Sequence, residues 1–282
     1  MQKKTLTLSV IIPTYNEEDY IGACLEAIAK QTEMPERVII VDNNSTDKTV
    51  EIAKSYDFVE VLTEEQQGVR FARNTGFNAV KTELIGRIDA DTRLADNWVT
   101  RAKELFASRV DIAAATGPCS YYDMPLKKVG LSFDKMLRRA VFMLGDMPVL
   151  YGSNMVLRRS AWNDIRDELC MSGEMYEDYD ISIHLMEHNH ITIYDPDLIC
   201  GVSARRLDDD PRSFARNMKL HTHTFAVHGM SSRIAALSRA GYLSVYPPLK
   251  ILRSVYDIDK QRLSLRKALK EKSTARPDSR NY

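Results

Sequence analysis

Short apolar runs alternate along this chain with stretches whose apolar residues recur at helical spacing. Leu6–Ile12 is continuous and rich in β-branched residues, which predicts a buried strand ended by Pro13. Glu18–Gln31 places Ile21, Cys24, Leu25 and Ile28 on one stripe of an amphipathic helix. Arg37–Val41 predicts a second strand, and Asp42-Asn43-Asn44-Ser45-Thr46-Asp47 a polar turn. Thr46 or Asp47 there can cap a helix through Val50 and Ile52. Val59–Leu62 predicts a third strand, Gly68 opens a helix carrying Arg70, Arg73 and Asn74, and Leu84–Ile88 predicts a fourth strand. Four strands with three intervening helices over about ninety residues predict a right-handed, Rossmann-like α/β fold: a mostly parallel sheet with helices on both faces.

The pattern continues less regularly. Asn97–Ser108 is helical, with Trp98, Ala102, Leu105 and Phe106 on one side, and Ile112–Gly117 is a strand. Tyr121 to Asp146 has mixed polarity and carries Met124, Met136, Met143 and Met147. Such a stripe is read first as core and second as an apolar groove for an acceptor. Glu174, Glu177, Asp178 and Asp180 precede a helix with Ile181, Ile183, Leu185 and Met186. Acids favour a helix N-terminus, but capping accounts for one or two of them and not four. Ile191–Tyr194 and Leu198–Val202 are short strands, and Arg205-Arg206 follows as a pair suited to a diphosphate or a phosphorylated acceptor, or simply to a solvated face. A helix from Pro211 carries His221, His223 and His228.

Composition changes this picture little. Of 282 residues, 44% are hydrophobic and 28% charged, an ordinary globular balance. The net charge is zero but uneven: residues 250–282 carry ten Lys/Arg against four Asp/Glu, a net of +6. With Leu249, Ile251, Leu252 and Val255 this end resembles a basic amphipathic segment for an anionic membrane, although packing on the body of the protein is an equal reading. No nucleic-acid partner is expected. Cys24, Cys119, Cys170 and Cys200 form no Cys-x-x-Cys, which disfavours a zinc cluster or disulfide framework and fits a reducing, cytoplasmic setting, with peripheral contact at the inner membrane face as the extension of that reading. No apolar stretch reaches the ~18 residues of a membrane span.

Chemistry concentrates where the predicted strands end. Ligands bind open α/β sheets at the carboxyl ends of their strands. Those ends hold Pro13-Thr14-Tyr15-Asn16-Glu17, Asp42-Asn43 and Asp89-Ala90-Asp91. Asp89 and Asp91 point the same way along an extended chain and offer hard oxygen ligands for Mg²⁺ or Mn²⁺, unless they only cap a turn. Neither Gly-x-Gly-x-x-Gly nor a P-loop occurs, and the glycine-rich pyrophosphate loop of a nucleotidyltransferase is missing.

Val10–Glu18, Val41–Asp47, Ala72-Arg73-Asn74 and Asp89-Ala90-Asp91 together resemble a family 2 glycosyltransferase of the GT-A fold. The resemblance covers roughly residues 6–95 and resumes at Gly152-Ser153-Asn154-Met155 and Glu177-Asp178-Tyr179-Asp180. It implies a nucleotide-diphosphate sugar as donor. Tyr15 and its neighbours Pro13, Thr14 and Glu17 would line the base, with Asp42 and Asn43 reading its edge. Asp91 would bind the divalent metal, Asp89 would face the ribose, Arg70 and Arg73 the nucleotide side, and Gly152-Ser153 would lie beneath the sugar. It implies Asp178 as the base that takes the acceptor proton in an inverting transfer, with Glu177 and Asp180 behind it, and a C-terminal histidine as a further metal ligand in some members. Asn43 stands where some relatives have an Asp facing uracil. Expected boundaries are a GT-A catalytic domain over 1–206, split into a nucleotide-binding half (1–95) and an acceptor-binding half (96–206), then a helical extension over 207–272 and a disordered tail over 273–282. The expected acceptor is a glycan or lipid-linked hydroxyl. A polyprenyl-phosphate sugar synthase is the narrower alternative, and a non-catalytic nucleotide-sugar-binding protein the alternative of another class.

Overall fold

A computed structural model describes residues 6–144, 149–171, 175–230, 233–258, 260 and 262–264. In chain order its first half runs β1 (Leu8–Thr14), α1 (Ile21–Ala29), β2 (Arg37–Asp42), α2 (Thr49–Lys54), β3 (Val59–Thr63), α3 (Val69–Ala79), β4 (Leu84–Arg87) and β5 (Arg93–Leu94). The second half adds α4 (Trp98–Ser108), β6 (Ile112–Thr116), β7 (Cys119–Tyr121), α5 (Lys127–Leu144), β8 (Met155–Arg158), α6 (Arg159–Ile165), α7 (Glu177–Glu187), β9 (Ile191–Tyr194), β10 (Cys200–Val202), α8 (Pro211–Val227) and α9 (Arg233–Ser254).

Seven strands form one sheet in the order β3-β2-β1-β4-β8-β6-β9. β1 pairs in parallel with β2 and β4, and β2 with β3; only β8 runs against its neighbours β4 and β6. Alternation along each strand serves both faces. Leu8, Val10 and Ile12 point into one core with Ile21, Leu25 and Ile28 of α1 and Trp98 and Phe106 of α4. Ile11, Ile39 and Val41 point into the other, with Phe77 of α3, Trp162 of α6 and Ile181 of α7. β5, β10 and β7 make a small second sheet.

The register sets the working edge. Thr14 stands opposite Asp42 and Asp42 opposite Thr63, so the first three strands end level. Pro13 does not end β1; it is a member of it, opposite Val41. The turns beyond β1 and β2 pass through Asn16 (φ 53°) and Asn44 (φ 66°), left-handed positions that asparagine tolerates better than most residues. These turns are laced together: Ser45 Oγ accepts from the Asn16 N–H, and Asn16 Oδ1 accepts from the Thr46 N–H.

Two expectations change. Met124 is core at 4% exposure, but Met136 and Met143 of α5 are 62% and 74% exposed; Met147 lies outside the described residues. α5 lies against β7 and β9 with its outer side open, so the stripe is surface and not core. The basic segment that begins at Lys250 follows the second of its two readings where it is described, packing on the body of the protein. Arg253 pairs with Asp208 and Asp123, the Lys250 ammonium reaches the Asp209 carbonyl, and Leu249 and Leu252 pack against Phe214, Met218 and Tyr246. The helical extension itself stops at Ser254 and gives way to a minimal antiparallel pair, Tyr256–Asp257 with Arg262–Leu263. Residues 265–282, with the predicted tail, lie outside the described residues. No helix among the described residues is long and apolar enough to cross a membrane.

Candidate active site

Beyond β4 the chain turns through Asp89-Ala90-Asp91, with the Asp89 carbonyl accepting from the Thr92 N–H. The two carboxylates have different surroundings. Asp91 is 8% exposed, and its Oδ2 lies 2.7 Å from Arg205 Nε. Asp89 is more open, and its Oδ1 lies 3.0 Å from Arg87. Burial is the main force on Asp91 and lifts its carboxyl to about 6; Arg205 opposes that rise and Asp89 adds to it. The same Arg205 guanidinium grips Glu17 with both terminal nitrogens, at 2.6 and 2.7 Å, and lies 4.6 Å from the centre of the Tyr20 ring. One late arginine thus bridges the ends of β1 and β4. Desolvation works against the neighbouring Arg206 guanidinium, yet the fields of Tyr176, Asp89, Asp91 and Asp178 hold it charged.

A second acidic pair opens α7. Arg87, 4% exposed, donates to Glu177 Oε1 at 2.9 Å while it holds Asp89, and so stands between the two acidic segments. Burial alone would raise Glu177, but Arg87 and then Arg73 keep its carboxyl below the usual range. Asp178 next to it has no ion pair among the described residues. Its Oδ2 accepts from the Gly152 N–H at 3.0 Å. Burial first and the Glu177 charge second push it up to about 7, against the pull of Arg87. Gly152 is required by what lies behind it: a Cβ there would stand 1.2 Å from Arg87 Nη1.

The predicted site residues therefore divide. The register and these contacts bring Thr14, Glu17, Asp42, Asp89, Ala90, Asp91, Gly152 and Asp178 to one edge, with Pro13 within β1 just before it and Tyr15 and Ser153 on the adjoining turns. Asp42 Oδ1 accepts from the Ser45 N–H and shapes its own turn. Asn43 is corrected. Its Nδ2 donates to the carbonyls of Glu64 and Gln66, and its Oδ1 accepts from the N–H of Gly68 and from Gln67 Nε2. Every hydrogen-bonding position of that amide is spent on the loop before α3, and none is left for a base edge. Arg73 is corrected as well. It is 1% exposed, and its guanidinium donates to the Glu177 carbonyl and the Asn74 side chain, so it supports the start of α7 from beneath. Arg70 lies 6.0 Å from the Phe71 ring centre. Of the histidines, His221 lies 2.6 Å from the Tyr179 hydroxyl and is lowered to about 4 by burial and by Arg206 and Arg239, while His223 is exposed and His228 meets Asp180.

Arg87 was missed in the sequence, although the signal was there: one arginine inside the otherwise apolar run Leu84–Ile88, whose length of side chain has to end at a charge. The bridging of Glu17 and Asp91 by Arg205 had no local signal at all.

Residues 9–166, more than half the chain, match the model described as Glycosyl transferase family 2. The chain belongs to this family. Glycosyltransferase AglE of Haloferax volcanii is 42% identical over 101 residues, which is 33% of this chain and 33% of that protein. The match therefore spans about a third of that relative's length. Among solved structures, the mannosyltransferase PcManGT from Pyrobaculum calidifontis, in complex with GDP-Man and Mn²⁺, superposes with a TM-score of 0.60 at 21% identity, over 94% of this chain and 78% of that one. S. aureus TarS 1-349 in complex with UDP-GlcNAc gives 0.53 at 20% identity, over 76% and 65%. These likenesses establish the GT-A fold for this family 2 chain. The family match ends at residue 166, before Glu177, Asp178 and Arg205, so the closing half of the site rests on the geometry above.

Proposed function

We propose that the chain transfers a sugar from a nucleotide-diphosphate sugar to an acceptor hydroxyl with inversion at the anomeric carbon. The observation that carries this reading is the unequal treatment of two neighbouring acids: Glu177 is tied to Arg87, while Asp178 is held, among the described residues, by the backbone N–H groups of Gly152 and Tyr179 and is raised to about 7. A carboxylate poised there has the basicity to accept a hydroxyl proton near neutral pH. The acceptor oxygen attacks the anomeric carbon as its proton passes to Asp178, and the bond to the diphosphate oxygen breaks on the opposite face.

The donor would lie along the edge formed by Pro13–Glu17, Asp42 and Asp89–Asp91. A nucleotide sugar as ligand accords with GDP-Man on PcManGT and UDP-GlcNAc on TarS. Asp91 and Asp89 fit a Mg²⁺ or Mn²⁺ ion: both offer hard oxygens, and the raised Asp91 carboxyl needs a counter-charge at that position, which Arg205 now supplies. When bound, the ion would neutralise charge developing on the departing diphosphate. Arg205 and Arg206 provide fixed positive charge for the same oxygens. A lipid-linked acceptor is favoured within this reading by α5. Val129, Phe133, Met136 and Leu137 are exposed there, and Arg138 of the same helix stacks at 3.6 Å on Tyr151, the residue before Gly152.

The test is single-turnover transfer and donor hydrolysis with a panel of nucleotide sugars, each with Mn²⁺, Mg²⁺ or EDTA. Metal-dependent release of a nucleoside diphosphate, lost in Asp91→Asn and Asp178→Asn, is expected. Unchanged release in both variants overturns the site; tight donor binding without turnover with any acceptor returns the chain to a binding role.

A further inference from the structure

The back of α7 carries a cluster that the reading above does not use. Asp180 and His184 are four residues apart on α7 and share one face of it. His228 caps the C-terminal end of α8, and Cys170 lies in the segment after α6. One ligand atom from each of these four residues lies within 4.8 Å of all the others. His228 Nε2 is 2.9 Å from Asp180 Oδ1, His184 Nε2 is 3.5 Å from the same oxygen, and Cys170 Sγ is 3.8 Å from His228 Nε2. Ligands about 2.0–2.3 Å from a tetrahedral Zn²⁺ are separated by about 3.3–3.7 Å. The observed separations bracket those edges.

A second observation points to a ligand. His184 is buried, and neither of its ring nitrogens makes an aligned hydrogen bond, although both face carboxylates: Asp180 on one side and Glu187 Oε2, at 3.1 Å, on the other. An imidazole aimed at an ion through one nitrogen, with a carboxylate behind the other, is the usual arrangement of a metal-bound histidine. Asp180 is oriented in the same manner, since its second oxygen accepts from the Cys170 N–H at 3.0 Å.

We propose that Cys170, Asp180, His184 and His228 bind one zinc ion. A thiolate, two imidazoles and a carboxylate form a borderline-soft set that suits Zn²⁺ over Mg²⁺ or Mn²⁺. Four protein ligands leave no open position, so the ion is structural. It fastens the segment after α6 and the end of α8 to α7, two residues behind Asp178. The site is separate from the Asp89–Asp91 edge, and the inference does not depend on the proposed transfer reaction.

The full chain, produced in zinc-supplemented medium and purified without chelator, should hold one zinc per molecule by elemental analysis and keep it against millimolar Mn²⁺. Cys170→Ser and His228→Gln should each lose it, whereas Asp91→Asn should keep it. Cobalt-substituted protein should show a sulfur-to-cobalt charge-transfer band that Cys170→Ser lacks. Should those variants fail to fold, wild-type protein stripped with a chelator serves instead: Zn²⁺ alone should raise its melting temperature, and Mg²⁺ should not. Zinc-free protein from zinc-rich medium with no Zn²⁺-dependent shift in melting overturns the proposal. So does zinc retained by the His184→Gln/His228→Gln double variant.

Discussion

The turn after β4 and the start of α7 each present an acidic pair, and Arg87 holds one acid of each. The remaining two, Asp91 and Asp178, are both raised by burial, but they are completed differently. Asp91 receives a guanidinium, while Asp178 receives two backbone N–H groups, those of Gly152 and Tyr179. A carboxylate with a permanent cation beside it is helped to keep its charge and suits cation binding. One without a cation can gain and lose a proton near neutrality. The chemistry of each segment therefore follows from which acid is left unpaired more than from the number of acids present.

The largest effect expected from breaking this contrast is in Asp178→Asn, which should lower kcat by about 10²–10⁴ with donor affinity retained, as nucleoside diphosphate release will measure. The same substitution should stabilise the fold. The folded carboxyl, raised to about 7, holds its proton more tightly than an unfolded one, so wild-type stability falls as pH rises from about 4 to 7. The gain in Asp178→Asn, of the order of 1–3 kcal/mol, should be full above pH 7 and vanish toward pH 4 in thermal melts. Arg87→Met leaves Asp89 and Glu177 without their shared cation. It should cost about 3–5 kcal/mol in denaturant unfolding, the usual penalty for stranding a buried charge. A pH series sharpens the comparison more gently: transfer should rise as Asp91 and then Asp178 lose their protons, falling about tenfold per unit just below 7 and more steeply below about 6. The smallest change is expected from Asn43→Ala, about 1–3 kcal/mol of stability from unpaired amide partners, with the order of preference among nucleotides unchanged in thermal-shift titrations.

What the sequence disclosed follows the same division. The strands, their alternation with helices and the carboxylates at their ends were legible because each is a local pattern: β-branched runs, turn residues, an Asp-x-Asp after an apolar stretch. The roles of Asn43 and Arg73 were misjudged because both point away from the edge that their neighbours face, and hydrogen-bond partners 21 to 104 positions distant decide that direction. The exposed side of α5 was also misread, since amphipathic spacing tells which residues share a face and not whether anything covers it. The partition of charge at Glu177 and Asp178 needed Arg87, whose position relative to α7 is a property of the folded sheet alone.

Arg205 reaches Glu17 across 188 positions of chain. On a ribosome, the strands that build this edge emerge first and the cation that neutralises it emerges after both carboxylates. Until Arg205 is made, Glu17 and Asp91 lack the guanidinium that pairs them in the folded chain. The timetable of synthesis therefore ends, for this edge, with an ion pair and not with a strand, and a chain released before residue 205 keeps the strands without the charge balance.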